Sequence, residues 1–117
     1  MRVWSKFISI ALLMSSGAVQ AESANSWRVN GAISGRTFVL DCRLEQGSGA
    51  CVDANPGAKA NPLTSLSASG DRTSWSFRTR HMFISITLAF NGRITGDRMS
   101  GTMSAAGRSG TFTAVRH

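Results

Sequence analysis

The chain has 117 residues, with 13 Lys and Arg against 6 Asp and Glu, a formal net charge of +7. A hydrophobic fraction of 42% is too apolar for a disordered chain and too broken by polar residues for a bundle of membrane helices. Two Cys and two His, one of them the last residue, exclude a zinc ribbon, an iron–sulfur centre or a histidine-rich metal site built by this chain alone.

Met1–Lys6 carries Arg2 and Lys6 and no acid, and Phe7–Val19 is an uncharged, mostly apolar run. Val19-Gln20-Ala21 then places small residues three and one before a cleavage point. Charged start, short apolar stretch and small-x-small end read as a secretory signal peptide over residues 1–21, cut after Ala21. A spanning helix needs roughly 20 apolar residues, and this run is shorter and contains Ser15, Ser16 and Gly17. The expectation is a periplasmic or secreted protein, not membrane-spanning after cleavage, with residues 22–117 as a single domain. Loss of Arg2 and Lys6 takes the net charge to +5, and every remaining cation except Lys59 is Arg. The guanidinium fork suits phosphate and carboxylate.

Beyond the leader, no stretch keeps apolar residues at helical spacing for two turns, and alternation dominates. Alternation marks half-buried strands. The pattern predicts strands over 27–33, 37–45, 48–53, 63–68, 73–79, 82–94, 98–104 and 109–116. The clearest runs from Met82 to Phe90, with Met82, Ile84, Ile86, Leu88 and Phe90 on the inward face and Ser85, Thr87 and Ala89 outward. Phe38, Leu40, Cys42 and Leu44 share a face in the second strand. Turns are expected at Ser34–Arg36, Gln46–Gly49, Ser69–Arg72, Thr79–His81, Thr95–Arg98 and Ala105–Arg108, and a longer loop at Ala54–Pro62. Asn91-Gly92 reads as a hairpin turn or a glycine bulge inside a long strand, and the bulge is preferred because Gly96-Asp97 supplies a turn soon after. Gly70-Asp71-Arg72 recurs as Gly96-Asp97-Arg98, an echo expected of a repeated hairpin or of a reused turn sequence.

About eight short strands with no helix to cover them predict an all-β fold, an antiparallel up-and-down meander closing into a small barrel. A β-sandwich is the competing arrangement. Such a barrel is just wide enough to be filled by side chains or to hold one small ligand. Export favours a disulfide. A loop at Gln46-Gly47 places Cys42 opposite Cys51 as a non-hydrogen-bonded pair, close enough to bridge. The spacing lacks the Cys-x-x-Cys form of redox sites, so the bridge is read as structural.

Catalytic constellations are sparse. His81 sits among Arg78 and Arg80 in an expected turn, and no acid lies on a predicted apolar face. Asp71 and Asp97 occupy matching turn positions, where Asp hydrogen-bonds its own backbone. No enzyme activity, cofactor or metal is expected. Trp27, Trp75, Met82, Met99 and Met103 are candidate interior-lining residues, as core first and as a ligand surface second.

In a meander, alternate turns share an end. One end gathers Arg36, Lys59, Arg78, Arg80 and Arg108 against Asp53 alone, and the other balances Arg28, Arg72, Arg98 and Arg116 against Glu22, Glu45, Asp71 and Asp97. The first end is a candidate anion-binding rim. Nucleic acid is not an expected partner, since the aromatic residues fall on inward faces and offer no stacking platform.

Ile94-Thr95-Gly96-Asp97-Arg98-Met99-Ser100-Gly101-Thr102-Met103, followed by Gly110-Thr111-Phe112-Thr113-Ala114-Val115-Arg116, resembles a repeat of small exported bacterial proteins of unknown function. Those segments are similar to lipocalin- or avidin-like antiparallel barrels. The resemblance implies fold and carries no site residue. Taken together, the expected function is non-catalytic binding of a small apolar or acidic ligand or of an envelope component. The alternatives are a protein-binding module, such as a periplasmic protease inhibitor using the 54–62 loop, and last a small hydrolase.

Overall fold

The computed structural model describes residues 25–117 apart from Met82, with the backbone alone for His81. The expected leader, Met1–Ala21, with Glu22 and the Met82 lining position, lies outside the described residues. The strands are β1 (Ser26–Ile33), β2 (Arg36–Arg43), β3 (Ala50–Asp53), β4 (Ala60–Ser69), β5 (Arg72–His81), β6 (Ile84–Thr95), β7 (Arg98–Ala105) and β8 (Arg108–Arg116). Each pairs antiparallel with the next, and β8 returns to β1, from Trp27↔Arg116 to Ile33↔Gly110, closing a barrel. Closure decides between barrel and sandwich, and removes the free sheet edges that a flat meander would expose.

The Gly-Asp-Arg echo is structural. Gly70 and Gly96 take φ values of 62° and 64° at the first central position of two-residue hairpin turns, a type II′ pattern that needs glycine there. Both turns are stitched onward alike. The Asp71 carbonyl accepts from the Ile94 amide at 2.7 Å and the Asp97 carbonyl from the Arg116 amide at 3.0 Å. Their carboxylates meet Arg93 at 3.5 Å and Arg116 at 3.1 Å.

Inward faces meet in a filled centre. Trp75 stacks on Phe90 with centroids 4.9 Å apart, Phe77 stacks on the same ring at 6.1 Å, and Phe112 stands edge-on to Phe90 at 5.4 Å. Trp27, Val29, Leu40, Cys42, Cys51, Met99, Met103 and Ala114 complete the buried cluster. Offset-stacked and edge-to-face geometries are those that the ring quadrupole favours.

Cys42 pairs with Cys51 and the two are bridged, with Cα atoms 4.1 Å apart. The register is the expected one, but the loop is wider than the two-residue turn at Gln46-Gly47. β2 stops at Arg43, and the Gly49 amide donates to the Glu45 carbonyl at 2.9 Å. A side chain on Gly49 would stand 2.6 Å from the Arg43 and Glu45 carbonyl oxygens, so this loop closes tightly onto its own backbone.

Asn91-Gly92 is neither bulge nor turn. Gly92 sits in unbroken register between Thr73 and Gly101. Its reason is proximity, because a Cβ there would lie 2.7 Å from Met99 Sδ and 2.9 Å from Phe112 Cζ. The register shift falls instead between Leu63 and Ser65 in β4.

The Ala54–Pro62 loop is also shorter than expected, since β4 begins at Ala60 and Pro62 pairs with Ala50. The consequence is large. Pro62 has no amide to donate, and the β4–β5 ladder ends at Leu63↔Phe77. On the other flank the turn at Ala106-Gly107 ends β7, whose last pair with β6 is Leu88↔Ala105. Beyond these points β5 and β6 pair only with each other, through Arg78↔Thr87, Thr79↔Ile86, Arg80↔Ser85 and His81↔Ile84. The last four β5–β6 pairs therefore have no other strand paired on either flank, over about 13 Å at the usual strand rise.

This arrangement corrects two expectations. The turn predicted at Thr79–His81 is strand, paired as far as His81↔Ile84. Ile84, predicted inward with Ile86 and Leu88, is 66% exposed, while Ile86 and Leu88 are half-buried. Alternation aims these side chains correctly, but no other strand reaches Ile84 to cover it.

Candidate anion-binding end

The turns β1–β2, β3–β4, β5–β6 and β7–β8 lie at one end of the closed meander. They bring Arg36, Lys59, Arg78, Arg80 and Arg108 to that end, all exposed. Arg108 donates to Ser34 Oγ at 3.1 Å, tying the β7–β8 turn to the β1–β2 turn. Asp53, the acid at this end, accepts the Asn55 amide at 3.0 Å and shapes the start of the 54–59 loop. Among the described residues, none of the five cations is ion-paired with a carboxylate.

The charge at the opposite, terminal end and along the adjoining wall is arranged differently. Asp41, Glu45, Asp71 and Asp97 each face an arginine, respectively Arg28 at 2.8 Å, Arg43 at 3.0 Å, Arg93 at 3.5 Å and Arg116 at 3.1 Å. Arg28 grips Asp41 with two bonds, Nε to Oδ1 at 2.8 Å and a second nitrogen to Oδ2 at 3.1 Å. Those bonds hold the Asp41 carboxyl below the ordinary carboxylate range and raise the Arg28 guanidinium above its own. Arg116 lies 4.4 Å over the Trp27 ring while donating to Asp97, so it closes the barrel floor with a cation–π contact. The two ends are thus unequal in charge: Asp41, Glu45, Asp71 and Asp97 lie on arginines toward the terminal end, where Arg72 and Arg98 are exposed without a carboxylate partner among the described residues, and the five cations of the other end share it with Asp53.

The interior-lining residues divide from the rim. Trp27, Trp75, Met99 and Met103 are buried in the hydrophobic core, whereas the rim cations are exposed. A cavity of about 380 Å³, open to solvent, lies at the terminal end against the disulfide, with Trp27, Asp41, Val52, Ala60 and His117 on its walls. Among the described residues no cluster of three His, Cys, Asp or Glu could hold a metal. No described helix is long and apolar enough to cross a membrane.

The sequence reading did not single out Phe83, which is 91% exposed at the hairpin tip. A signal was available. Phe83 precedes the run Ser85, Thr87, Ala89 on the outward face of its strand, the one large apolar side chain in that series.

No family model matches the chain, and no curated protein or solved structure matches it.

Proposed function

We propose that this is an exported, non-catalytic binding protein that recognises an acidic component of the cell envelope at its basic end. The observation that carries the reading is the separation of charge. Five exposed cations gather at one end without carboxylate partners among the described residues, Asp53 pairing with none of them, while Asp41, Glu45, Asp71 and Asp97 lie on arginines elsewhere. Unpaired guanidinium groups are the side chains best suited to phosphate and carboxylate. The disulfide and the leader-like start are compatible with export.

The packed centre favours recognition on the outside over a ligand held within. A pocket for an apolar ligand inside the barrel would need the space that Trp75, Phe77, Phe90 and Phe112 fill. The 54–59 loop is exposed but offers mainly Ala, Pro and Gly, little for an inhibitor to anchor with. A hydrolase needs converging acids, whereas Asp41, Glu45, Asp71 and Asp97 each lie on a different arginine.

The test is retention on immobilised polyphosphate at low salt. Alanine at Arg36, Arg80 and Arg108 is expected to cut retention more than alanine at Arg28, Arg72 and Arg98. Equal losses would remove the polarity on which the reading stands.

A further inference from the structure

We infer that the β5–β6 hairpin is a membrane-docking finger, which inserts Phe83 and Ile84 into an anionic phospholipid surface while Arg78 and Arg80 engage the headgroups. The inference rests on the anion-binding reading above and names the partner at that same end. Four observations converge. The last four pairs of the hairpin have no other strand paired on either flank, and exposure rises from half-buried Ile86 to Ile84 and Phe83 at the tip. Its tip carries Phe83 at 91% and Ile84 at 66% exposure, the two most exposed large apolar side chains described. Arg78 and Arg80 are exposed behind that tip, and between Arg72 and Thr95 the sequence has no acid. Arg36, Lys59 and Arg108 share the end at which the hairpin tip lies.

The geometry suits a bilayer boundary. Arg80 pairs with Ser85, one step behind His81↔Ile84, and Arg78 pairs with Thr87, three steps behind. At the usual strand rise the guanidinium stems start about 3 to 10 Å behind the tip pair. Interfacial elements bury an apolar face about 5–10 Å deep and keep cations at the headgroups. An apolar tip of two side chains is too small to anchor alone, so attraction of the cations to anionic lipid is required.

A protein partner adding a strand along β5 is disfavoured by the same residues. The unpaired flank of β5 carries Arg78 and Arg80, and edge cations oppose strand addition. Neither feature opposes a fluid, negatively charged surface.

The experiment uses residues 22–117, which hold the entire closed barrel and none of the apolar leader. Phosphatidylcholine vesicles with and without phosphatidylglycerol are floated with the protein, and retention on immobilised polyphosphate is measured in parallel. Expected are binding to the phosphatidylglycerol vesicles alone, its loss at high salt, and a blue-shifted emission from a Phe83→Trp variant on those vesicles. Phe83→Ser with Ile84→Ser should weaken vesicle binding about tenfold or more and leave polyphosphate retention unchanged. Arg78→Ala and Arg80→Ala should each weaken it about fivefold. Polyphosphate retention without vesicle binding would overturn the membrane inference and leave the anion-binding reading standing. Loss of both would end both. Unchanged vesicle binding by the double Ser variant, or an unshifted Phe83→Trp emission, would reject insertion. A dimer that the double Ser variant dissociates would show the tip covered by a second copy, and would likewise overturn the inference.

Discussion

Gly101 lies directly opposite Gly92 across the β6–β7 ladder, and a Cβ on Gly101 would fall 1.8 Å from the Asn91 carbonyl oxygen. The obstruction is backbone, held in register on both sides. At Gly92 the obstruction is Met99 Sδ and Phe112 Cζ, the far ends of side chains. Gly101→Ala is therefore expected to cost about 3 kcal/mol, near the upper range of overpacking, and Gly92→Ala about 1–2 kcal/mol as the Met99 thioether shifts. Urea denaturation of the two variants checks the order, and a Gly92→Ala cost equal to or above that of Gly101→Ala would contradict it.

The Cys42–Cys51 bridge closes a loop with a sequence separation of 9. Loop-closure entropy for a ring of that size corresponds to about 2–3 kcal/mol. Cys42→Ser with Cys51→Ser should lower the urea midpoint accordingly and keep a strand-rich far-ultraviolet spectrum. The ladders of β1 with β8 and of β5 through β8 do not depend on the bridge. Collapse of the strand spectrum in the double variant would show that the staple specifies the fold as well as stabilising it.

Arg28 holds the Asp41 carboxyl below its ordinary value. A carboxylate depressed in the folded state contributes stability that is complete above the unfolded pKa, roughly pH 4. That contribution fades as the pH falls through the folded value. Acid unfolding is expected to steepen below about pH 4, and Asp41→Asn should flatten that limb while lowering stability at neutral pH. Parallel pH–stability curves for wild type and Asp41→Asn would discount the pair.

Trp75 is 1% exposed, and its indole Nε1 has no hydrogen-bond partner among the described residues. An unpaired buried donor costs about 1–3 kcal/mol, and Trp75→Phe removes it along with some packing. The two effects oppose, so the substitution should cost only about 1 kcal/mol. Phe90→Ala empties the ring that Trp75, Phe77 and Phe112 all pack upon, and should cost about 3–5 kcal/mol. Thermal unfolding of both variants separates the cases. A Trp75→Phe loss as large as that of Phe90→Ala would mean that the indole nitrogen is satisfied in solution.

Alternation and turn chemistry were enough to read the strand number, the inward faces and the Cys42–Cys51 register, because each is a local property of one strand or one hairpin. The grouping of alternate turns at each end was legible too, since parity in a meander assigns every turn to an end. The unpaired flanks of the β5–β6 tip were not. Whether Ile84 is covered depends on how far β4 and β7 run beside it, and that is decided at Pro62 and Ala106-Gly107, remote in sequence. Pro62 was read only as a loop residue, when its missing amide also ends a ladder. Gly92 misled for a similar reason. A glycine within a strand signals a bulge or a close approach, and only the placement of Met99 and Phe112 distinguishes them. The rim arginines followed from topology, whereas Phe83 followed from nothing but its odd position in an otherwise polar series.

Trp27 pairs with Arg116, and the His117 amide donates to the Ser26 carbonyl at 3.0 Å, so the barrel's first and last residues leave side by side. The seam between β1 and β8 is an ordinary strand boundary, which makes the molecule a natural subject for circular permutation. Ends joined by a short linker and reopened near Gly47 would preserve every ladder. Cargo or a solid support attached next to Ser26 or Arg116 would hang from the pole remote from the β5–β6 hairpin, leaving it unobstructed.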